Sequence, residues 1–391
     1  MHDRAPAIAT LAALASDRSR GPAHPRSASP AKRSWTEEAA ASGDPTVASL
    51  EELLAALEGG TSAVAFASAE AMLHTLGRVL LRPGDDMVAA RELPTTAMPA
   101  LAHSFPGFGW RVAWASLDDR ASFEDAIGPR TKAILAPAVG ADGSIADLAM
   151  LAELARRAGV PLIVDNTLAT PALSKPIDHG AHAVIHSSAA TIAGRGSLAA
   201  LIDGGAFDWQ REARHAALSE PQAPFGNAVL AQMFGNFALA AACRLVGARA
   251  FAASPSAEEA GRLVDGVGTL GLRLERQRAT AQRVAEWLDA RAEIAWVRYA
   301  GMPGNRYNNL AKRYAGGSGA PLLSFQPRDA SEGLVSALSV FLPTEALAGG
   351  TRSQIESVTT GSGTPFFRLW IGIEDEADLI ADLEDALAGA A

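Results

Sequence analysis

The sequence predicts an α/β fold built on a mostly parallel sheet. Two apolar runs carry that expectation: Pro161 to Val164 stops at Asp165 and Asn166, and Ala183 to Ile185 stops at His186, Ser187 and Ser188. Buried parallel strands read as near-continuous apolar runs and deliver polar groups to the carboxyl edge of the sheet, where such folds keep their ligands. The third observation is alternation. Strand-like runs at Met87 to Ala90, Val112 to Ala115 and Ala133 to Ala136 are interleaved with helical patterns at about 119 to 127 and 147 to 158, as repeated β-α units require.

From the N-terminus, residues 1 to about 40 are rich in Ala, Arg, Ser and Pro, a composition that packs no core of its own; they read as a mobile or partner-bound arm. Asp44-Pro45 supplies an N-cap and a proline at the first helical position, and Leu50, Leu53, Leu54 and Leu57 fall on one face before Gly59-Gly60. Ala63 to Ala67 reads as a strand, and Ser68 opens the next helix. Pro83-Gly84-Asp85 turns into the Met87 strand. Farther on, Leu272, Leu274, Val284 and Trp287 mark a long amphipathic helix, and Leu379, Ile380, Leu383 and Leu387 a final one.

The 391 residues, 48% of them hydrophobic, suffice for a large core in two domains. A net charge of −9 without a basic cluster argues against nucleic acid and anionic membrane as partners. The single Cys243 excludes an internal disulfide and reads as a buried helix residue. No uninterrupted apolar run long enough for a bilayer is evident, nor a secretory leader, so a cytoplasmic location is expected.

Leu-Ile-Val-Asp-Asn-Thr-Leu-Ala-Thr-Pro from Leu162, followed by His-Ser-Ser-Ala-Ala from His186, resembles the Cys/Met-metabolism family of pyridoxal-phosphate (PLP) enzymes. That family typically reads V-D-N-T-F-A-T-P and then H-S-A-T-K. The segments Leu201-Ile-Asp-Gly-Gly, Met233-Phe-Gly-Asn-Phe and Tyr299-Ala-Gly-Met-Pro are similar to the O-acetylhomoserine sulfhydrylase branch, near cystathionine gamma-synthase, and Phe367-Arg-Leu-Trp-Ile-Gly-Ile-Glu-Asp is similar to the family's R-L-S-V-G-I-E. The resemblance implies fold type I, with a flexible arm at 1–40, a large domain at 41–255 on a seven-stranded-type sheet, and a smaller α+β domain at 256–391.

It also implies a degenerate site. Ala190 falls where the family lysine holds PLP as a Schiff base, and alanine has no amine for that chemistry. Pro94 stands at the ring-stacking Tyr, the ring Asn is lost after Ala136-Pro-Ala-Val, and Ala39 and Ala41 replace an interfacial Tyr and Arg. The cofactor-binding positions carried by resemblance are Ala69, Glu70, Asp165 and Ser187, with Arg368 as the clamp on a substrate carboxylate. Glu70 would repel a phosphate unless its side chain turns away. Asp165 reads equally as a strand-end cap, and Arg368 as the partner of an internal acid.

Only Lys32, Lys132, Lys175 and Lys312 could supply another amine. Lys175 is nearest in sequence but reads first as a solvated turn residue. His179, His182 and His186 lack the companions of a metal site, and none is expected. The favoured expectation is an inactive or regulatory homologue tied to methionine and cysteine metabolism, without covalent PLP. It would be a homo-oligomer, dimer or tetramer, or a hetero-oligomer with an active sulfhydrylase. A repurposed PLP-independent cleft, and PLP-dependent transsulfuration or sulfhydrylation through a replacement amine, stand as alternatives.

Overall fold

The computed structural model describes residues 44–389 except 197, 212–213, 252–253, 329–332, 346, 348 and 360–364, and leaves out the side chains of 248 and 249. The expected arm at 1–40, Lys32, and Ala39 and Ala41 lie outside the described residues.

The first described element is the helix Pro45–Glu58. Asp44 Oδ1 accepts from the Thr46 N–H at 2.7 Å, and Gly59 ends the helix in the left-handed conformation, φ 77°. Leu50, Leu53, Leu54 and Leu57 are all buried. Seven strands form the larger sheet: β1 Ser62–Phe66, β2 Asp86–Ala90, β3 Arg111–Ala115, β4 Thr131–Pro137, β5 Leu162–Asp165, β6 Ala183–His186 and β7 Ala199–Asp203. Their order is β1-β7-β6-β5-β4-β2-β3, and only β7 runs antiparallel to its neighbours. The expectation of a mostly parallel α/β sheet therefore holds.

Five further strands, β8 Ile294–Arg298, β9 Leu322–Pro327, β10 Leu342–Pro343, β11 Gln354–Val358 and β12 Phe366–Trp370, make the smaller sheet, in the order β10-β11-β12-β9-β8. The helix Leu270–Asp289 packs on β8, β9 and the final helix Glu376–Gly389. Its buried stripe includes Leu270, Leu274, Ala281, Val284 and Leu288. Leu272, expected on that stripe, is 73% exposed. Two residues from Leu274 is about 200° around a helix, so the two cannot share a face.

Cys243 is buried in the helix Ala238–Ala250, and burial pushes its thiol far above the usual range. Leu230–Gly247 meets the length and mean hydropathy of a membrane span, although Gln232, Asn236 and Arg244 interrupt its apolar run. Nor is it one continuous α-helix: Gly235, φ 55°, and a 3-10 turn at Gly235–Phe237 interrupt it, and 56% of the stretch is buried within the molecule.

Two buried titratable groups give the fold opposing pH responses. His215 Nε2 donates to the Lys132 carbonyl at 2.9 Å, and burial lowers its pKa from 6.5 to about 4. Asp203 accepts from the N–H groups of Gly205, Leu239 and Ala240, yet burial raises its pKa from 3.8 to about 6. Stability contributed by His215 is present above pH 6.5 and is lost as pH falls through about 4, by about 3 kcal/mol at most. That contributed by Asp203 is present below pH 3.8 and is lost as pH rises through about 6. His215→Gln removes the His215 response and leaves that of Asp203 in place. Urea unfolding should therefore show the variant gaining on the wild type as pH drops from about 7 to about 5; a pH-independent difference would contradict the assignment.

Candidate functional site at the carboxyl edge

The strand β5 is apolar until its last residue, and the chain then turns across the end of the sheet. Asp165 Oδ1 accepts from the Thr167 N–H at 2.9 Å, while Oδ2 is buried without a hydrogen-bond partner. Burial raises the Asp165 pKa, opposed by hydrogen bonds from Thr167 and Ser187. Beside it runs a chain of hydroxyls. Thr96 Oγ1 lies 2.7 Å from Ser187 Oγ, which lies 3.1 Å from Thr167 Oγ1, and the Ser187 N–H donates to Thr167 Oγ1 at 2.7 Å.

Successive residues at a strand end point to opposite faces, so Asn166 and His186 enter a second cluster. Glu58 Oε1, at the end of the first helix, accepts from Asn166 Nδ2 at 2.8 Å and lies 2.7 Å from His186 Nε2. All three side chains are buried. This knot ties the first helix to the ends of β5 and β6. Sequence reasoning assigned Asn166 and His186 to the strand ends and missed Glu58, whose signal was an acid which, like Glu51 seven residues before it, falls on the mostly apolar buried face of the helix.

Ala190 opens the short helix Ala190–Ala193, where the Ser188 hydroxyl accepts from its N–H at 3.2 Å. Arg273 holds the far end of this turn: Nη1 donates to the Thr191 carbonyl at 3.1 Å and Nη2 to that of Ile192 at 2.8 Å. Burial lowers the Arg273 pKa to about 10. The Thr191 hydroxyl donates to the Thr167 carbonyl, joining the turn to the Asp165 loop. Gly349 closes over the turn, and a Cβ there would come within 2.2 Å of Thr191 Cγ2. Arg273 was also missed; its signal is a polar side chain in register with Leu270 and Leu274.

The remaining sequence candidates have other partners. Ala69 is buried in the first turn of the helix Ala69–Leu80, capped by the Ser68 hydroxyl. Glu70 is exposed and accepts from the Ser104 hydroxyl at 3.1 Å. Among the described residues, no hydrogen bond joins Ala69 or Glu70 to the Asp165 cluster. Arg368, on β12, lies 3.4 Å from Glu356 of β11. Lys132 is at the opposite, amino end of β4 and donates to the Arg214 carbonyl. Lys312 is exposed on the helix Asn308–Tyr314. Lys175 is half-buried in the turn before Pro176. The three candidate histidines diverge: His179 packs edge-on to Tyr314, His182 Nδ1 accepts from the Leu162 N–H, and His186 meets Glu58.

Residues 38–388 match the family described as Cys/Met metabolism PLP-dependent enzyme. The chain belongs to that family. Among curated members, it is 31% identical over 374 residues to an O-acetyl-L-homoserine sulfhydrylase of Leptospira meyeri, spanning 88% of this chain and 84% of the relative. To O-acetyl-L-homoserine sulfhydrylase 1 of Thermus thermophilus it is 32% identical over 366 residues, spanning 88% and 87%. A solved structure described as a Campylobacter jejuni O-acetylhomoserine (thiol)-lyase, carrying N'-pyridoxyl-lysine-5'-monophosphate, superposes with TM-score 0.83 at 27% identity over 97% of this chain and 99% of that one. Membership in the Cys/Met metabolism family links the chain to sulfur amino-acid metabolism, and its fold is that of the PLP-dependent type I enzymes.

Two substitutions test the energetics of the edge. A buried carboxylate oxygen without a partner costs stability, so Asp165→Asn should raise the unfolding free energy by about 1 kcal/mol at pH 8. Because burial raises the Asp165 pKa, that advantage should shrink as the solution is acidified; a less stable variant at pH 8 would refute it. His186→Ala removes a partner of the buried Glu58 and should cost about 3 kcal/mol by the same denaturation measurement.

Proposed function

We propose that this family member does not form the lysine aldimine and serves sulfur amino-acid metabolism as a regulatory homologue. Its action is to assemble, as a homo-oligomer or with an active sulfhydrylase. The observation that carries this reading is the residue at the start of the turn after β6. Ala190 stands there, in the turn that Thr191 joins to the Asp165 loop through the Thr167 carbonyl, and has no amine. None of Lys132, Lys175 and Lys312 contributes a hydrogen bond to the Asp165–Ser187 cluster among the described residues.

The residues present do not fit a covalently held PLP. One end of such a group is matched, since the unpartnered, buried Asp165 Oδ2 suits a protonated ring nitrogen. At the other end, alanine cannot condense with an aldehyde. Pro94 offers no aromatic face for stacking, and the Ser187 hydroxyl is already shared with Thr96 and Thr167. Family membership fixes the scaffold, whereas activity depends on the groups at the site.

The same orphaned oxygen supports a second reading, a cleft repurposed for a small cationic ligand without lysine chemistry. Asp165 would then hold the cation by a charge-assisted hydrogen bond.

The test is the absorbance spectrum of the full chain with added PLP, followed by borohydride reduction and peptide mapping. The expected outcome is that no peptide carries a reduced pyridoxyl group, while mixing with a sulfhydrylase from the same cell gives a heteromer in size-exclusion chromatography. A reduced pyridoxyl group on Lys175 or any other lysine would overturn the non-catalytic reading. Failure to form a heteromer would leave only self-assembly.

A further inference from the structure

The amino edge of the larger sheet, at the other end of the strands from Asp165, carries a cleft of about 300 Å³. One wall is the end of the helix Ala69–Leu80 with Leu81 and Arg82, and the other is drawn from Arg214 to Gln222. Two hydrogen bonds fix its place. The Arg82 N–H donates to Asp85 Oδ2 at 2.8 Å, just before β2, and Lys132 Nζ, at the amino end of β4, donates to the Arg214 carbonyl at 3.1 Å.

Both walls are held by bonds of their own. The helix closes with the Leu81 N–H on the Gly77 carbonyl at 2.7 Å. Across from it, Gln222 Nε2 donates to the carbonyls of Ala216 at 2.8 Å and Glu220 at 2.9 Å, and Arg214 Nη1 donates to that of Ala158 at 2.8 Å. A site ordered in advance loses less freedom when a ligand binds.

The charge of the cleft is opposite to that of the chain. Arg78, Arg82 and Arg214 line it against one acid, Glu220, whereas the whole chain carries −9. The helix end adds only about half a negative charge, too little to cancel that excess. Asp85 and Asp86, on the turn after Arg82, already face Lys132, Arg111 and Arg130. Arg78 is exposed, and among the described residues no acid pairs with it. Arg82 Nη2 meets Glu220 Oε2 at 2.7 Å, but the two side chains are 61% and 47% exposed. Ion pairs so open to water contribute little, so another anion can displace Glu220.

The lining also narrows the ligand. No aromatic side chain borders the cleft, which leaves a nucleobase or other planar ring without a stacking surface. Val79, Leu80 and Leu81 are buried and offer little to an apolar body. Guanidinium forks suit carboxylate and phosphate oxygens. The arginines come from both walls, and tetrahedral phosphate groups present oxygens in several directions where one planar carboxylate serves a single fork.

We propose that this cleft is a binding site for a compact anion of the diphosphate class, held by Arg78, Arg82 and Arg214, with Glu220 displaced from Arg82 on binding. The site is separate from the Asp165 edge. It goes beyond the proposed function and stands whether or not any lysine forms an aldimine.

The experiment is calorimetric titration of the full chain with sodium pyrophosphate, without divalent cations, in about 20 mM salt. One saturable event is expected, at least about tenfold weaker in the double variant Arg78→Gln, Arg82→Gln and at least about threefold tighter in Glu220→Gln. Raising the salt to about 0.5 M should weaken it at least about tenfold. No binding up to about 10 mM pyrophosphate overturns the proposal. So does an affinity unchanged in the arginine variant, which would place the anion elsewhere on the chain. A Glu220→Gln variant that binds no more tightly overturns the displacement of Glu220. Sodium citrate checks the ligand class: binding as tight as that of pyrophosphate overturns the assignment to phosphate. Should the double variant not fold, Arg78→Gln alone changes an exposed side chain and should weaken binding at least about threefold.

Discussion

A strand buried on both faces can place its polar side chains only at its ends. In β5 and β6 the interior positions are wholly buried and apolar, and Asp165, Asn166, His186, Ser187 and Ser188 all gather at one edge. The architecture around that edge answers a need for partners. Glu58 ends its helix where Asn166 and His186 can reach it, Thr167 folds back onto Asp165 and Ser187, and Thr96 completes the hydroxyl chain. Asp165 Oδ2 is the exception. An unpaired buried acceptor is costly, which sets this atom apart from the satisfied groups around it.

The second dependency links the two sheets. Arg273 and Gln277, one turn apart on the Leu270–Asp289 helix, reach in different directions. Arg273 grips the carbonyls of Thr191 and Ile192, whereas Gln277 donates to those of Gly350 and Ile371. Trp370 donates to the same Gly350 carbonyl. One helix therefore registers the Ala190 turn against the end of β12, which also carries Arg368. Because both polar side chains are buried, a shift of either sheet would leave several carbonyls without donors. The relation between the edge of the larger sheet and β12 of the smaller one is thus fixed by hydrogen bonds as well as apolar packing.

Local signals made the scaffold legible in the sequence. Asp44-Pro45 and Gly59 bracket a helix because capping chemistry acts over a few residues, and β5 and β6 were readable because continuous apolar runs have few other uses. Leu272 is exposed although apolar, because helical phase and not side-chain identity decides which face is buried. The contacts of Glu58, Arg273 and Glu356 were illegible for another reason. Their partners lie 128, 82 and 12 residues away, and no local pattern specifies such pairings. The turn of Glu70 toward Ser104, 34 residues on, belongs to the same class.

That division bears on what family membership can transmit. Strand order and helix packing rest on many apolar contacts, each tolerant of substitution at similar volume. A reactive site rests on a few groups whose chemistry has no substitute, because an alanine can preserve a helical turn but cannot supply a nucleophilic amine. Divergence can therefore leave the architecture recognisable over nearly the whole chain while changing the work done at its edge. In this protein the groups that can still interact with a ligand are unevenly satisfied: the hydroxyls are paired with one another, Arg368 is held by one long contact, and Asp165 keeps a free buried oxygen.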